Sequence, residues 1–443
     1  MRILILILFL LNFCAKANVY NINTDFFTRF NDECFEKYIF QALSNNHDLK
    51  SINEKIKQYR YEISNSLSNE LPKLSVGSNY LGAKFPTGDT NFLIKRNSYV
   101  LPVIASYEPD FLLKNRDKTR SAKKIYEAEL SKQKASYISL LGDVANGYIN
   151  ILLFDFLIKK QEEIVKNVSK NLVFNKQKFN YGVIDLINLS KEKEAVEIQK
   201  VLLNTFIKQR NQLLYNFATL ISISPNCIED IKRKTLEEFE YQKEIPKEIP
   251  YETLSNRPDL IELEKRLKSA KIDITVAKKD FFPSFNITAA LVFDTAGGGN
   301  FFSWNSSFAY LIAGLTQDIF KGGAKIANLK IKKARFMELL EKYKQTDLNA
   351  IKEVNNSLNL ILEDTKSNES LKKQVAFEKE RFFATRKKYL AGSASVIDYL
   401  EDKNSLLQQE QLLGNSKATR LMDYITLYKA LGGELWRKKF WLL

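Results

Sequence analysis

Residues able to make or break bonds are scarce in this chain of 443 residues: one histidine, His47, and three cysteines, Cys14, Cys34 and Cys227. A Ser-His-Asp hydrolase needs a histidine base oriented by a carboxylate, and a structural metal site needs grouped Cys and His, so neither is expected here. No Gly-rich phosphate loop follows a strand-like segment either. What remains is noncovalent chemistry, made of charge, apolar surface and shape, with no cofactor and no enzymatic reaction expected.

The charge is large, with 67 Lys and Arg against 52 Asp and Glu, a net +15. Bases and acids alternate in runs such as Glu378-Lys379-Glu380-Arg381, and the dense basic runs are short, as at Lys332-Lys333 and Arg386-Lys387-Lys388. An excess spread this thinly reads as solvated helix faces, and nucleic acid is not expected as a partner.

The amino terminus sets the compartment. Arg2 precedes an apolar run from Ile3 to Leu11, and Ala15-Lys16-Ala17 has the small-x-small pattern of a signal peptidase site, predicting a signal peptide over 1–17. Cys14 offers a lipoprotein alternative, against which Phe13 stands where a small residue is needed. Export to an oxidising compartment would permit Cys34 and Cys227 to pair, though nothing in the sequence brings them together. No later segment reaches the roughly 20 apolar residues of a membrane helix. An exported chain of this kind is soluble or enters a membrane as a β-barrel.

The elements that would position any site come from a duplication. Leu71-Pro72-Lys73-Leu74 matches Phe282-Pro283-Ser284-Phe285, Asp110-Phe111-Leu112 matches Asp318-Ile319-Phe320, and Phe179-Asn180-Tyr181-Gly182 matches Tyr389-Leu390-Ala391-Gly392, in the same order and near a constant offset. A first repeat is expected over 18–235, with strands near 73–83 and 97–108 and a helical hairpin over 113–222. A linker follows over 236–256. The second repeat covers 257–435, with strands near 284–295 and 302–316 and a hairpin over 322–431, and 436–443 is a tail.

In the strands, Leu74, Val76, Tyr80, Tyr99, Leu101, Val103 and Tyr107 alternate with small or polar residues, as do Phe285, Ile287, Leu291 and Phe293 in the second repeat. In the last strand Trp304, Phe308, Tyr310 and Ile312 are expected to form the apolar side against Asn305 and Ser307. Period two with aromatics near the strand ends suits a membrane wall, apolar outside and polar inside. Strands of a soluble sandwich, or an exported coiled-coil structural or adhesion protein, are the competing readings.

The helices are long. Lys114 to Asn180, at 1.5 Å per residue, would extend ~100 Å. Phe336, Leu340, Tyr343, Ile351, Val354, Leu358 and Ile361 form a seam that must pack against the returning helices. Four strands cannot close a membrane barrel, since the smallest types have about eight, so several chains must share one.

Phe282-Pro283-Ser284-Phe285, Asp318-Ile319-Phe320-Lys321-Gly322-Gly323, Tyr389-Leu390-Ala391-Gly392-Ser393 and Leu427-Tyr428-Lys429-Ala430-Leu431-Gly432-Gly433, in this order and largely repeated, resemble the outer membrane factor family, the TolC-like exit ducts of Gram-negative efflux pumps and type I secretion systems. The resemblance implies a mainly α fold with a transmembrane β-barrel portion. Long helical hairpins would form an α-barrel in the periplasm, and four strands per chain a twelve-stranded barrel shared by a homotrimer in outer membrane lipid. It implies as partners a periplasmic adaptor (membrane fusion) protein and an inner-membrane RND, ABC or MFS transporter.

The same resemblance assigns Gly182 and Gly392 to the turns of the periplasmic tip that meets the adaptor. It places a constriction six and nine residues beyond the second glycine, at Asp398 and Glu401, with Tyr389 at the position of a tyrosine that holds the tip closed in some members. The first-repeat counterpart of Asp398 is Asn188, so an acidic ring would draw on the second repeat alone. Ala394 replaces the basic residue that follows the tyrosine, so the same latch does not carry over.

Overall fold

The computed structural model describes residues 23–87, 92–242, 249–296, 304 and 307–434. The expected signal peptide at 1–17, Cys14 and the tail at 436–443 lie outside the described residues. Two compact units make up the chain: Met1–Asn53, Lys132–Leu260 and Thr346–Leu443 form one, and Glu54–Ser131 with Ile261–Gln345 the other.

The first unit is helical. It holds α1 (Asp25–Thr28), α2 (Glu33–Asn45), and most of two hairpins, α4 (Lys114–Asn180) with α5 (Leu186–Leu220) and α7 (Ala324–Leu390) with α8 (Val396–Ala430). On α4, Leu141, Ala145, Tyr148 and Leu152 recur at spacings of four and three and are fully buried, the stripe of an amphipathic helix. Aromatics from the amino-terminal segment cover it. Phe26 stacks on Tyr428 with centroids 4.6 Å apart, and Phe30 on Phe239 at 5.0 Å. Each such ring contributes roughly 2 kcal/mol by burial, and Phe26→Ala would cost about 3–5 kcal/mol once the cavity is counted.

One polar knot sits in this core. Asp32 caps α2 by accepting from the Cys34 and Phe35 amides at 2.9 and 3.2 Å, and its other oxygen accepts from the buried Tyr148 hydroxyl at 2.7 Å. The segment expected as a linker is partly core as well, because Leu236 and Phe239 are buried in the same cluster. Cys34 and Cys227 are free thiols.

The second unit carries the end of α3 (His47–Leu67), most of α6 (Pro258–Lys279), and one antiparallel sheet of β1 (Lys73–Val76), β2 (Asn79–Thr87), β3 (Phe92–Tyr107), β4 (Ser284–Ala296) and β5 (Ser307–Thr316). Both β1 and β2 pair with β3, so they are one strand interrupted at Gly77-Ser78. Directly opposed residues share a face in such a sheet. The registers Val76↔Val103, Val103↔Leu291 and Leu291↔Ala309 therefore define one side. Within the strands over 74–76, 79–80, 99–107, 285–293 and 309–315, that side holds only aliphatic and aromatic side chains, with Thr295 and Ser307 polar at its far end.

The opposite side mixes Ser106, Asn286 and Thr288 with Pro102, Ile104 and Val292. Here the last strand departs from the sequence expectation. Phe308, Tyr310 and Ile312 lie opposite Val292, Ala290 and Thr288, on the mixed side, and Leu311 and Leu315 complete the apolar one. Alternation reveals that a strand has two faces; only the register with β4 says which face is which.

Candidate functional site at the helical turns

Both hairpins reverse by the same backbone device. Gly182 and Gly392 have φ of +72° and +74°, in the left-handed region where a Cβ is disfavoured. In the first turn the Val183 amide donates to the Lys178 carbonyl at 2.8 Å and the Gly182 amide to Phe179 at 2.9 Å. In the second, Ser393 donates to Lys388 at 2.9 Å and Gly392 to Tyr389 at 3.0 Å. These paired bonds satisfy carbonyls that the helix end would otherwise leave open. A methyl at either glycine would meet nothing within 4 Å, so backbone conformation alone asks for glycine.

The return helices start from different caps. Asp185 accepts from the Asn188 amide at 2.8 Å at the start of α5. At α8, Ser395 and Asp398 form a reciprocal capping box: the Asp398 amide donates to Ser395 Oγ at 3.1 Å, and the Ser395 amide to Asp398 Oδ2 at 3.0 Å. The Ser395 hydroxyl and amide hold the Asp398 carboxyl below its usual range, so it is charged at neutral pH. Glu401, one turn further on, is pushed up by partial burial and then by the charges of Asp398, Glu192 and Asp402.

The structure thus brings Asp398 and Glu401 together and adds Glu192 and Asp402 to them. Sequence reasoning missed this second pair, although both stand ten residues after their turn glycine. Asp402 is held by Thr385 Oγ1 at 2.5 Å and Arg381 at 3.4 Å. Tyr389 stacks on Tyr399 within its own hairpin, centroids 5.1 Å apart and planes 15° from parallel.

Around the first turn the surface is apolar. Tyr181, Val183, Leu186 and Ile187 are exposed. A pocket of about 270 Å³ between the turns is lined by Phe174, Tyr181, Val183, Val396 and Ile397 together with the polar Gln177, Lys178 and Ser395. Among the described residues no group of Asp, Glu, His and Cys is placed to hold a metal ion. What the arrangement offers is a patch of fixed negative charge beside a sticky apolar surface.

The model of the outer membrane efflux protein family matches residues 38–223 and again residues 249–433. The probable efflux pump outer membrane protein TtgC of Pseudomonas putida is 24% identical over 409 residues, covering 91% of this chain and 84% of that protein. The cation efflux system protein CusC of Escherichia coli is 25% identical over 421 residues, covering 93% and 88%. Among solved structures, the Campylobacter jejuni CmeC outer membrane channel shares the fold with a TM-score of 0.85 at 22% identity, over 93% of this chain and 88% of that one. With both halves of the chain matched, it belongs to the outer membrane efflux protein family and is an outer membrane channel, an exit duct for efflux.

Proposed function

We propose that the duct is a homotrimer in which three copies share one twelve-stranded barrel. The observation that carries this reading is the sheet. One side is apolar over the middle of the strands and exposed, with Leu74 and Leu311 more than 70% accessible. Its two edges are open among the described residues, since β5 bonds only β4, and β1 and β2 bond only β3. A water-soluble sheet with such edges invites aggregation, whereas a closed ring of copies removes both edges and gives the apolar side to lipid. Pairing β5 of one copy with the β1–β2 edge of the next is a head-to-tail contact that closes by rotation.

In this trimer Asp398 and Glu401 recur three times about the axis and constrict the duct. Six carboxylates there favour cations and repel dense anions. Tyr389 lies at the same constriction. The turns at Gly182 and Gly392 meet a periplasmic adaptor, for which the exposed apolar surface at Tyr181, Val183 and Leu186 is suited, and the adaptor links the duct to an inner-membrane RND, ABC or MFS transporter. The duct itself conducts passively, the transporter supplying the energy.

Light scattering of the mature protein extracted in detergent, with the detergent mass subtracted, tests the assembly. Three chains per particle is the expected result. A monomer that stays in solution without detergent would remove the shared barrel.

A further inference from the structure

The net charge of +15 is less evenly spread than its interleaved runs suggest. Residues 108–126 hold six Lys or Arg against Glu108, Asp110 and Asp117, and residues 317–337 hold six against Asp318 alone. Both stretches begin where the sheet ends, after Tyr107 of β3 and Thr316 of β5, and both open a long helix. Helix stability does not call for them, since cations at a helix amino terminus oppose the dipole.

Most nearby acids are already engaged, Asp110 by the Lys114 and Arg116 amides at 2.6 and 2.8 Å. Asp117 takes Lys279 at 2.6 Å and Arg120 at 2.9 Å, Asp318 takes Lys321 at 2.8 Å and Lys325 at 3.4 Å, and Lys114 pairs with Asp280 at 2.7 Å. Arg116, Lys118, Lys330 and Lys333 are exposed and make no ion pair among the described residues.

Between these cations and the sheet stands an apolar collar. Phe111, Phe282, Ile319 and Phe320 are exposed, Ile319 at 97% and Phe320 at 86%. The Phe111 ring lies 5.7 Å from Phe285, which belongs to the apolar side of the sheet. Apolar strand, then aromatic collar, then cations is the order in which a bilayer presents acyl chains, glycerol level and phosphates.

We infer that the junction of sheet and helices, built from the collar and Arg116, Lys118, Lys330 and Lys333, binds anionic phospholipid headgroups of the leaflet that faces the helices. This rests on the reading of the sheet as a membrane wall. Each phosphate would lie against cations that have no competing carboxylate, while the collar rings anchor the level of the chain in the membrane.

The test is lipid retention by the full-length mature protein, extracted in detergent, exposed to an equal mixture of phosphatidylglycerol and phosphatidylcholine and weighed by native mass spectrometry. Wild type is expected to keep phosphatidylglycerol about tenfold over phosphatidylcholine, with the preference shrinking as salt is raised to about 0.5 M. R116Q/K118Q/K330Q/K333Q should lose it at unchanged helicity and particle mass. K193Q/K200Q/K366Q/K372Q, with equal charge removed far along the helices, should keep it. Equal retention of both lipids by wild type, or an undiminished preference in the junction variant, overturns the inference. So does displacement of the lipid by inorganic phosphate at equal concentration, which would assign the site to a soluble anion. Failure of the membrane-wall reading is seen separately, as a chain that needs no detergent.

Discussion

The two long helices invite comparison because they are equal in length and unequal in surroundings. Both α4 and α7 run for 67 residues, and each is followed by a five-residue turn and a return helix of 35. On α4 the apolar residues Tyr137, Leu141, Tyr148 and Ile149 are buried, covered by the amino-terminal aromatics and by Phe239. On α7 the seam of Val354 and Ile361 is buried, yet Leu348, Leu362 and Phe377 are 53–67% exposed. Spacings of 14 and 15 residues, close to four turns, put these three on one face. Duplication copied the backbone; the covering segments were not copied. In the proposed trimer, this second apolar stripe is free to pack against another copy.

The strongest attack on that comparison is to charge the stripe. Leu362→Glu with Phe377→Glu is expected to convert the proposed trimer, extracted in detergent, to single chains, at about 3 kcal/mol or more per buried carboxylate, read by light scattering with circular dichroism unchanged. A trimer that survives would mean that the stripe faces the lumen or lipid-free solvent.

Next in size is a buried acid on the second hairpin. Burial, and then the neighbouring Asp364 carboxyl, push Asp423 of α8 up to about 7. Its folded pKa is raised above 3.8, so the folded chain holds a proton that the unfolded one releases, and stability falls as pH rises from about 4 to about 7. Asp423→Asn should remove this loss. The variant should melt like wild type near pH 4.5 and be more stable at about pH 8 by about 1–3 kcal/mol.

The turns should respond alike despite their different surfaces. Gly182→Ala and Gly392→Ala are each expected to cost about 1 kcal/mol in thermal unfolding, from the left-handed backbone and not from a clash, with Asn costing less. Unequal losses would show that one turn is held by contacts the other lacks.

The smallest effect on stability and the most specific on function is expected from Asp398→Asn with Glu401→Asn. The side-chain amide oxygen introduced by the first substitution can still accept in the cap. The reversal potential of single channels in a salt gradient should fall by about half, and an unchanged potential would remove the carboxylate ring.

The fold was legible where local rules leave one solution. Long periodic runs gave helices of the right kind, and paired alternating segments gave strands that a single chain cannot close. At the candidate site, the glycine positions were readable because a left-handed turn residue tolerates little else, while Asp398 was readable only by resemblance. Its role as half of a capping box was written in Ser395-x-x-Asp398. Glu192 was not recognised, since its meeting with Glu401 depends on how the two hairpins lie side by side, whereas Asp402 follows Glu401 directly in the chain and was readable there.

By itself, then, the sequence determined the duplication, the helix lengths, the turn glycines and the two-faced strands, because periodicity and backbone preference act within a few residues. Tertiary structure decided which face of β5 joins the apolar wall, that Phe26, Phe35 and Phe239 cover the first hairpin while Leu348, Leu362 and Phe377 of α7 stay exposed, and which carboxylates gather near the turns. Those depend on register and packing between segments far apart in the chain, and no local pattern encodes which distant surface a side chain will meet.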